Sequence, residues 1–156
     1  MKTTTLCYLV DEGRVLLAEK KRGPRGFGVG KCNGVGGKVE SGETVEAAAV
    51  REIQEEIGVA VSEGDLIPVG VLEFFFEGSP DWDQAVHVFI VRAWKGDPVE
   101  TEEMIPRWFA IDNLPFERMW ADDPYWLPRA LAGEKISGSF HFDERGARIL
   151  SYEIKS

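Results

Sequence analysis

The stretch from Gly37 to Val59, GKVESGETVEAAAVREIQEEIGV, limits what this chain can become more than any other. It reads as a tight turn, a helix and a stop. Gly36 and Gly37 permit a turn that side chains would obstruct. Ser41, Gly42 and Thr44 stand where a helix begins, with Thr44 placed to cap it through its hydroxyl. Glu43 and Glu46 suit the positive end of the helix dipole. Residues 45–57 are rich in Ala and Glu, which favour helix. Gly58 supplies the left-handed residue that ends it.

At about 100° per residue, Glu52, Glu55 and Glu56 share one arc of this helix. Ala49, Val50, Ile53 and Ile57 form the neighbouring apolar arc, suited to packing on a sheet. The three carboxylates span only ~6 Å along the axis. Like charges that close raise each other's pKa values. A divalent cation that prefers hard oxygen ligands, Mg²⁺ or Mn²⁺, removes that cost. Arg51 lies beside the cluster, placed to orient one carboxylate. A solvated acidic face would account for the glutamates alone. It does not account for the glycine turn, Glu43 and Arg51 at their fixed spacings.

The spacing resembles the signature of the Nudix hydrolases: Gly37, five residues, Glu43, seven residues, then Arg51-Glu52-Ile53, Gln54, Glu55-Glu56, Ile57, Gly58-Val59. The match covers 23 of 156 residues without a gap. The resemblance implies a divalent-metal enzyme that cleaves a diphosphate linked to another group. It also implies an α/β/α sandwich, an α/β fold whose mixed β-sheet is flanked by helices.

The rest of the chain bounds that expectation. A length of 156 residues suits one domain, 1–156, with room for a substantial core. No apolar run approaches the ~18 residues of a membrane span, and the N-terminus lacks a signal peptide's apolar segment. A cytoplasmic protein without a membrane partner is expected. Cys7 and Cys32 fit no metal spacing and no disulfide framework, so both are expected reduced. The net charge of −9 argues against binding a nucleic-acid polymer. A polyphosphate substrate would then need a local basic patch, for which Lys20, Lys21, Arg22, Arg25, Lys31 and Lys38 are candidates. A monomer is expected, with a homodimer as the alternative.

In chain order, 3–10 and 14–21 read as a hairpin across Asp11-Glu12-Gly13. A glycine-rich segment, 23–37, leads into the motif. Residues 59–61 read as a short strand, and 66–77 and 85–94 as longer ones. On the first long strand Leu72, Phe74 and Phe76 share a side by alternation. His87 has no catalytic neighbour and reads as structural. Residues 107–111 read as a strand, 124–133 as a helix despite Pro128, and 137–142 with 148–154 as a closing hairpin.

Three clusters bear on the substrate. Asn33 joins a donor and an acceptor, which reading a nucleobase edge requires, although an Asn beside Gly34 also suits a plain turn. Trp120 offers a stacking surface for a purine, beside Asp122 and Asp123. Two buried adjacent carboxylates cannot both ionise cheaply, so one can keep a proton and donate. The competing reading is that Asp122 or Asp123 caps the following helix. Glu100 is a candidate further carboxylate for a metal or a base.

Together these segments resemble the MutT-like branch of oxidised purine nucleoside triphosphatases, or 8-oxo-dGTP diphosphatases. Thr5-Leu6, Arg14-Val15-Leu16-Leu17, Lys20-Lys21-Arg22-Gly23, Gly26-Phe27-Gly28, Asn33-Gly34, Glu73-Phe74, Val86-His87-Val88-Phe89, Pro98-Val99-Glu100, Trp108-Phe109, Trp120, Asp122-Asp123 and Tyr125-Trp126 carry the likeness. It implies that Asn33, Trp120, Asp122 and Asp123 hold the base. It implies that Thr5, Lys20, Phe27, Val35, Gly37, Lys38 and Phe74 line the pocket or the phosphates. Glu52, Glu55 and Glu56, with the Gly36 carbonyl and Glu100, would hold Mg²⁺ or Mn²⁺, and Arg51 would assist the catalytic carboxylates. The implied substrates are 8-oxo-dGTP or 2-hydroxy-dATP, and the products a nucleoside monophosphate and pyrophosphate. The Gly23–Gly26 loop, longer by Gly-Pro-Arg, Cys32 and Val35 where aromatic residues are usual, and the GSPDWDQ segment depart from that branch, and bear on base preference. The alternatives are a Nudix hydrolase of methylated purine triphosphates, dinucleoside polyphosphates or nucleotide sugars, or a nucleotide-binding regulator without turnover.

Overall fold

The structure, a computed structural model, describes residues 1–23 and 28–156. Within them eight strands form one mixed sheet. Strand β1 (Lys2–Asp11) turns into β2 (Arg14–Lys20), as the turn signal predicts. The two pair only at the turn, Val10 with Val15 and Asp11 with Arg14, and then diverge. Along the diverging half, β2 pairs with β3 (Cys32–Asn33), and on its other edge with β6 (Met104–Ala110). On its far side β1 runs parallel to β5 (Gln84–Val91). Beyond lie β4 (Leu66–Phe76), β7 (Ser137–Phe142) and β8 (Ile149–Lys155). The closing hairpin is present as β7 and β8.

The gap between β1 and β2 is filled by the glycine-rich segment. It pairs with β2 at Cys32 and Asn33, then crosses over and pairs with β1. There Cys7 and Val35 exchange backbone bonds at 2.6 and 2.9 Å, Thr5 N–H donates to Gly37 O at 2.9 Å, and Val39 N–H donates to Thr3 O at 2.9 Å.

Side-chain alternation along β1 defines two cores. Tyr8 and Val10 face one way, with Leu72, Phe74, Phe140 and the buried side of helix α2 (Asp123–Leu131). Cys7 and Leu9 face the other, with Ala49, Ile53 and Ile57 of helix α1 (Val45–Ile57). Helices therefore cover both faces of the sheet, as the α/β/α expectation holds. Ile53 is wholly buried, and truncating such a residue to Ala costs roughly 2–5 kcal/mol.

Helix α1 begins and ends where the sequence predicts. Thr44 accepts from Ala47 N–H, and Gly58 is left-handed at φ 71°. One expectation changes. Residues 59–61 form no strand, only a bridge from Ala60 to Lys95. Glu43, read from sequence through the helix dipole alone, is gripped by a fork of two N–H donors from Arg51. Both cysteines are free and buried. Among the described residues no helix is long and apolar enough to cross a membrane.

Candidate active site

The seam where β1 and β2 part opens into a cavity of about 310 Å³. One end is lined by Thr5, Lys20, Gly36, Gly37 and Glu56, the other by Asn33, Phe74, Trp120, Asp122 and Asp123. Residues from 118 positions apart thus meet in one space, and all ten just named were singled out from sequence.

At the first end, close backbone approach sets the geometry. A side chain at Gly37 would put its Cβ 2.6 Å from the Glu52 carboxyl, and one at Gly36 would lie 2.0 Å from Thr5 O. Only glycine lets the turn pass between β1 and the acidic helix face. Arg51 organises that face. It grips both oxygens of Glu43 at 2.7 and 2.9 Å, and donates to Glu52 at 2.9 Å, Glu55 at 3.1 Å and Lys38 O at 3.1 Å. These bonds from Arg51, with one from Glu40 N–H, hold the Glu43 carboxyl down at about 2. Glu52 is pushed up from its ordinary value, because burial outweighs the attraction of Arg51. Glu56 is pushed up to about 8, by burial first and then by the charge of Glu52. Its Oε2 receives one long bond, 3.4 Å, from Gly36 N–H.

At the second end, two carboxylates are buried. Asp122 Oδ2 accepts from Trp126 Nε1–H at 2.7 Å, and Asp123 Oδ2 accepts from Trp120 N–H at 3.1 Å. Burial lifts Asp122 to about 6. Asp123 is lifted well above its ordinary value, by burial and then by Asp122. The helix-cap reading fails for Asp122, whose side chain makes no cap bond. Lys31 lies 5.4 Å from the centre of the Trp120 ring and donates to Met119 O.

Several expected site residues stand elsewhere. Val35 is buried in the α1-side core, because the pleat turns it away from the cavity once it bridges to Cys7. Lys38 bridges to Thr4 at the edge of a separate, shallower depression. Glu55 is exposed at the rim on Arg51. Glu100 pairs with Lys21 at 2.7 Å, and Arg22 lies near Glu102, so the basic patch is partly spent on local partners. Phe27 and Arg25 lie outside the described residues. Tyr8 and Trp126 anchor the second end from beneath; the sequence assigns neither a role, although Trp126 lies in a segment that carries the family likeness.

Residues 2–130 match the NUDIX domain family. The chain belongs to this family. It is 45% identical over 151 residues to the mouse oxidized purine nucleoside triphosphate hydrolase, covering 97% of this chain and 92% of that one. The zebrafish protein of the same description is 47% identical over 141 residues, covering 90% and 86%. Among solved structures, a MutT protein from Bacillus halodurans superposes with a TM-score of 0.81 at 26% identity, over 99% of this chain and 98% of that one.

Nudix hydrolases generally need a divalent metal, and the residues here fit one. Glu52 and Glu56 are one helical turn apart, and both are raised by burial, to which the charge of Glu52 adds at Glu56 and that of Glu55 at Glu52. Two partly desolvated carboxylates beside a carbonyl-rich turn are a donor set for a hard cation. Among the described residues no three acidic side chains already converge as a cage, since Arg51 holds Glu52 and Glu55.

Proposed function

We propose that this Nudix hydrolase converts oxidised purine nucleoside triphosphates, such as 8-oxo-dGTP and 2-hydroxy-dATP, to the monophosphate and pyrophosphate, and so keeps damaged bases out of the nucleotide pool. One observation carries the reading. A stacking indole, an amide and a buried carboxylate pair share a single cavity with the acidic face of the Nudix helix. The mouse and zebrafish relatives support it by their descriptions.

In this reading Trp120 stacks on the purine, and Asn33, Asp122 and Asp123 meet its edge. Because that pair favours keeping a proton near neutral pH, it can donate as well as accept. Thr5, Lys20 and the Gly36–Gly37 backbone face the triphosphate. Glu52 and Glu56, with the Gly36 carbonyl, would hold Mg²⁺; Glu55 and Glu100 are candidate further ligands. The cation supplies charge neutralisation at the phosphates and acidifies water. A helix carboxylate or Glu100 takes the proton from the attacking water. Arg51 keeps Glu52 aimed inward. The two buried free thiols fit a reducing cytoplasm, and the chain acts as a monomer on a small nucleotide.

The test is pyrophosphate release with Mg²⁺ from dGTP, 8-oxo-dGTP, 2-hydroxy-dATP, O6-methyl-dGTP, a dinucleoside polyphosphate and a nucleotide sugar. A kcat/KM for an oxidised purine triphosphate well above that for dGTP supports the reading. Preference for the sugar or the dinucleoside keeps the helix chemistry and discards the base pocket. Tight binding without any turnover makes the chain a nucleotide-binding regulator.

A further inference from the structure

Tyr8 lies wholly buried beneath the second end of the cavity. Its ring meets Trp126 edge-on, with centroids 6.0 Å apart and planes at 70°. Burial, with the charges of Asp123 and Asp122, keeps the phenol protonated, so its oxygen always carries a hydrogen to give. That hydroxyl donates to Asn33 Oδ1 at 3.2 Å. The Gly34 N–H donates to the same atom at 2.9 Å.

These two bonds decide which way the Asn33 amide faces. A backbone N–H can only donate, so the atom that meets it must be the amide oxygen. A flipped amide would set its NH₂ against the Gly34 N–H. Once flipped back, the oxygen has both lone pairs engaged, by Tyr8 and by Gly34. Among the described residues nothing bonds to Nδ2, and Asn33 lines the cavity. The amide therefore has only a donor left to offer a ligand.

We propose that Tyr8 is a specificity-determining positioning residue: by fixing the Asn33 amide, it makes Asn33 a donor toward the base and selects an edge bearing an oxo oxygen over one bearing an amino group. The proposal rests on the purine-triphosphate reading of the site and deepens it. An oxo group on the six-membered ring accepts from Nδ2. An amino group at the same place meets it donor to donor, leaving both groups unsatisfied away from water. Asp122 is tethered from the same floor by Trp126, yet a carboxyl keeps a second oxygen and a movable proton. The carboxylate pair is thus the adaptable reader of the base, and Asn33 the rigid one.

The experiment measures kcat/KM with Mg²⁺ for 8-oxo-dGTP, which carries a 6-oxo group, and 2-hydroxy-dATP, which carries a 6-amino group, in the parent and in Tyr8→Phe. Phenylalanine keeps the ring and its contact with Trp126 while removing the hydroxyl. The 8-oxo-dGTP to 2-hydroxy-dATP ratio is expected to fall about fivefold, the worth of one ordinary hydrogen bond, through KM rather than kcat. A variant that loses thermal stability or activity on both substrates alike, with the ratio unchanged, overturns the proposal. Should Tyr8→Phe fail to fold, Asn33→Asp answers the same question. It keeps an acceptor for Tyr8 and Gly34 but has no NH₂, so the ratio must drop; an undiminished oxo preference overturns the proposal. A parent that hydrolyses neither triphosphate overturns the reading beneath it. An active parent whose ratio is untouched in Tyr8→Phe overturns the role of Tyr8 alone.

Discussion

The two ends of the cavity hold their acidic groups by opposite means. At the helix end, Glu43, Glu52 and Glu55 are tied by one guanidinium, that of Arg51, close to solvent. At the base end, Asp122 and Asp123 are 5% and 1% exposed, and the donors that bond them are neutral, an indole N–H and a backbone N–H. A cation partner favours the ionised form, whereas burial among neutral donors favours the protonated one. At Glu43 the guanidinium prevails and holds the carboxyl ionised, whereas at Asp122 and Asp123 burial prevails and the carboxyls hold their protons more tightly. The first suits a metal and phosphates, the second a hydrogen-bonding base edge.

The sharpest break of this contrast is at Glu56, which belongs to the helix end but is half-buried and, among the described residues, pairs with no arginine. Glu56→Gln is expected to lower kcat by about 10²- to 10⁴-fold, the range for removing a general base. The circular dichroism spectrum should be unchanged. Near-normal turnover by a folded variant would remove the helix end from catalysis. Next in size is Trp126→Phe. It deprives buried Asp122 Oδ2 of its donor, which costs about 1–3 kcal/mol of unfolding free energy. Chemical denaturation reads that loss, and no loss would mean that neutral donors do not hold this end together.

Asp122→Asn sharpens the protonation half of the contrast. The folded state binds the Asp122 proton more tightly than the unfolded chain, since burial raises the group from about 3.8 to about 6. Its contribution is thus fully present below pH 3.8 and lost as pH rises through about 6. Asparagine keeps an oxygen for Trp126 and does not titrate. The Tm of Asp122→Asn minus that of the parent should rise by a few degrees between pH 4 and pH 7. A flat difference would show that burial does not govern this carboxyl. Glu43→Gln gives the smallest effect and the opposite sign. Arg51 lowers Glu43 from 4.5 to about 2, so its contribution is present above pH 4.5 and lost as pH falls toward 2. The small Tm deficit of Glu43→Gln at pH 7 should vanish over that window.

The same contrast explains what the sequence could reveal. The helix end is local: Gly37, Glu43, Arg51, Glu52 and Glu56 lie within twenty residues, and helical geometry converts their spacing into a shared face. The base end is assembled across the chain. Asn33, Trp120, Asp122 and Asp123 were recognisable because their polar or flat side chains are conspicuous in an apolar setting. Tyr8 and Trp126 were not, because an aromatic residue in a strand or a helix is ordinary core material until its polar atom is seen to have a partner. Val35 and Glu100 have surroundings that no local pattern could reveal. The pleat decides which way Val35 faces, and a lysine 79 residues away takes Glu100; neither fact is local.

The bonding of β1 has one more consequence. Thr5 is bonded to Gly37 at the phosphate end, and Tyr8 to Asn33 at the base end, and both stand on that strand. Three residues of strand separate them, ~10 Å. On the proposed reading the strand is therefore a calliper: it would gauge how far a ligand's ring lies from its charged tail. Substitutions on the floor can change which ring is welcomed while leaving that jaw width alone.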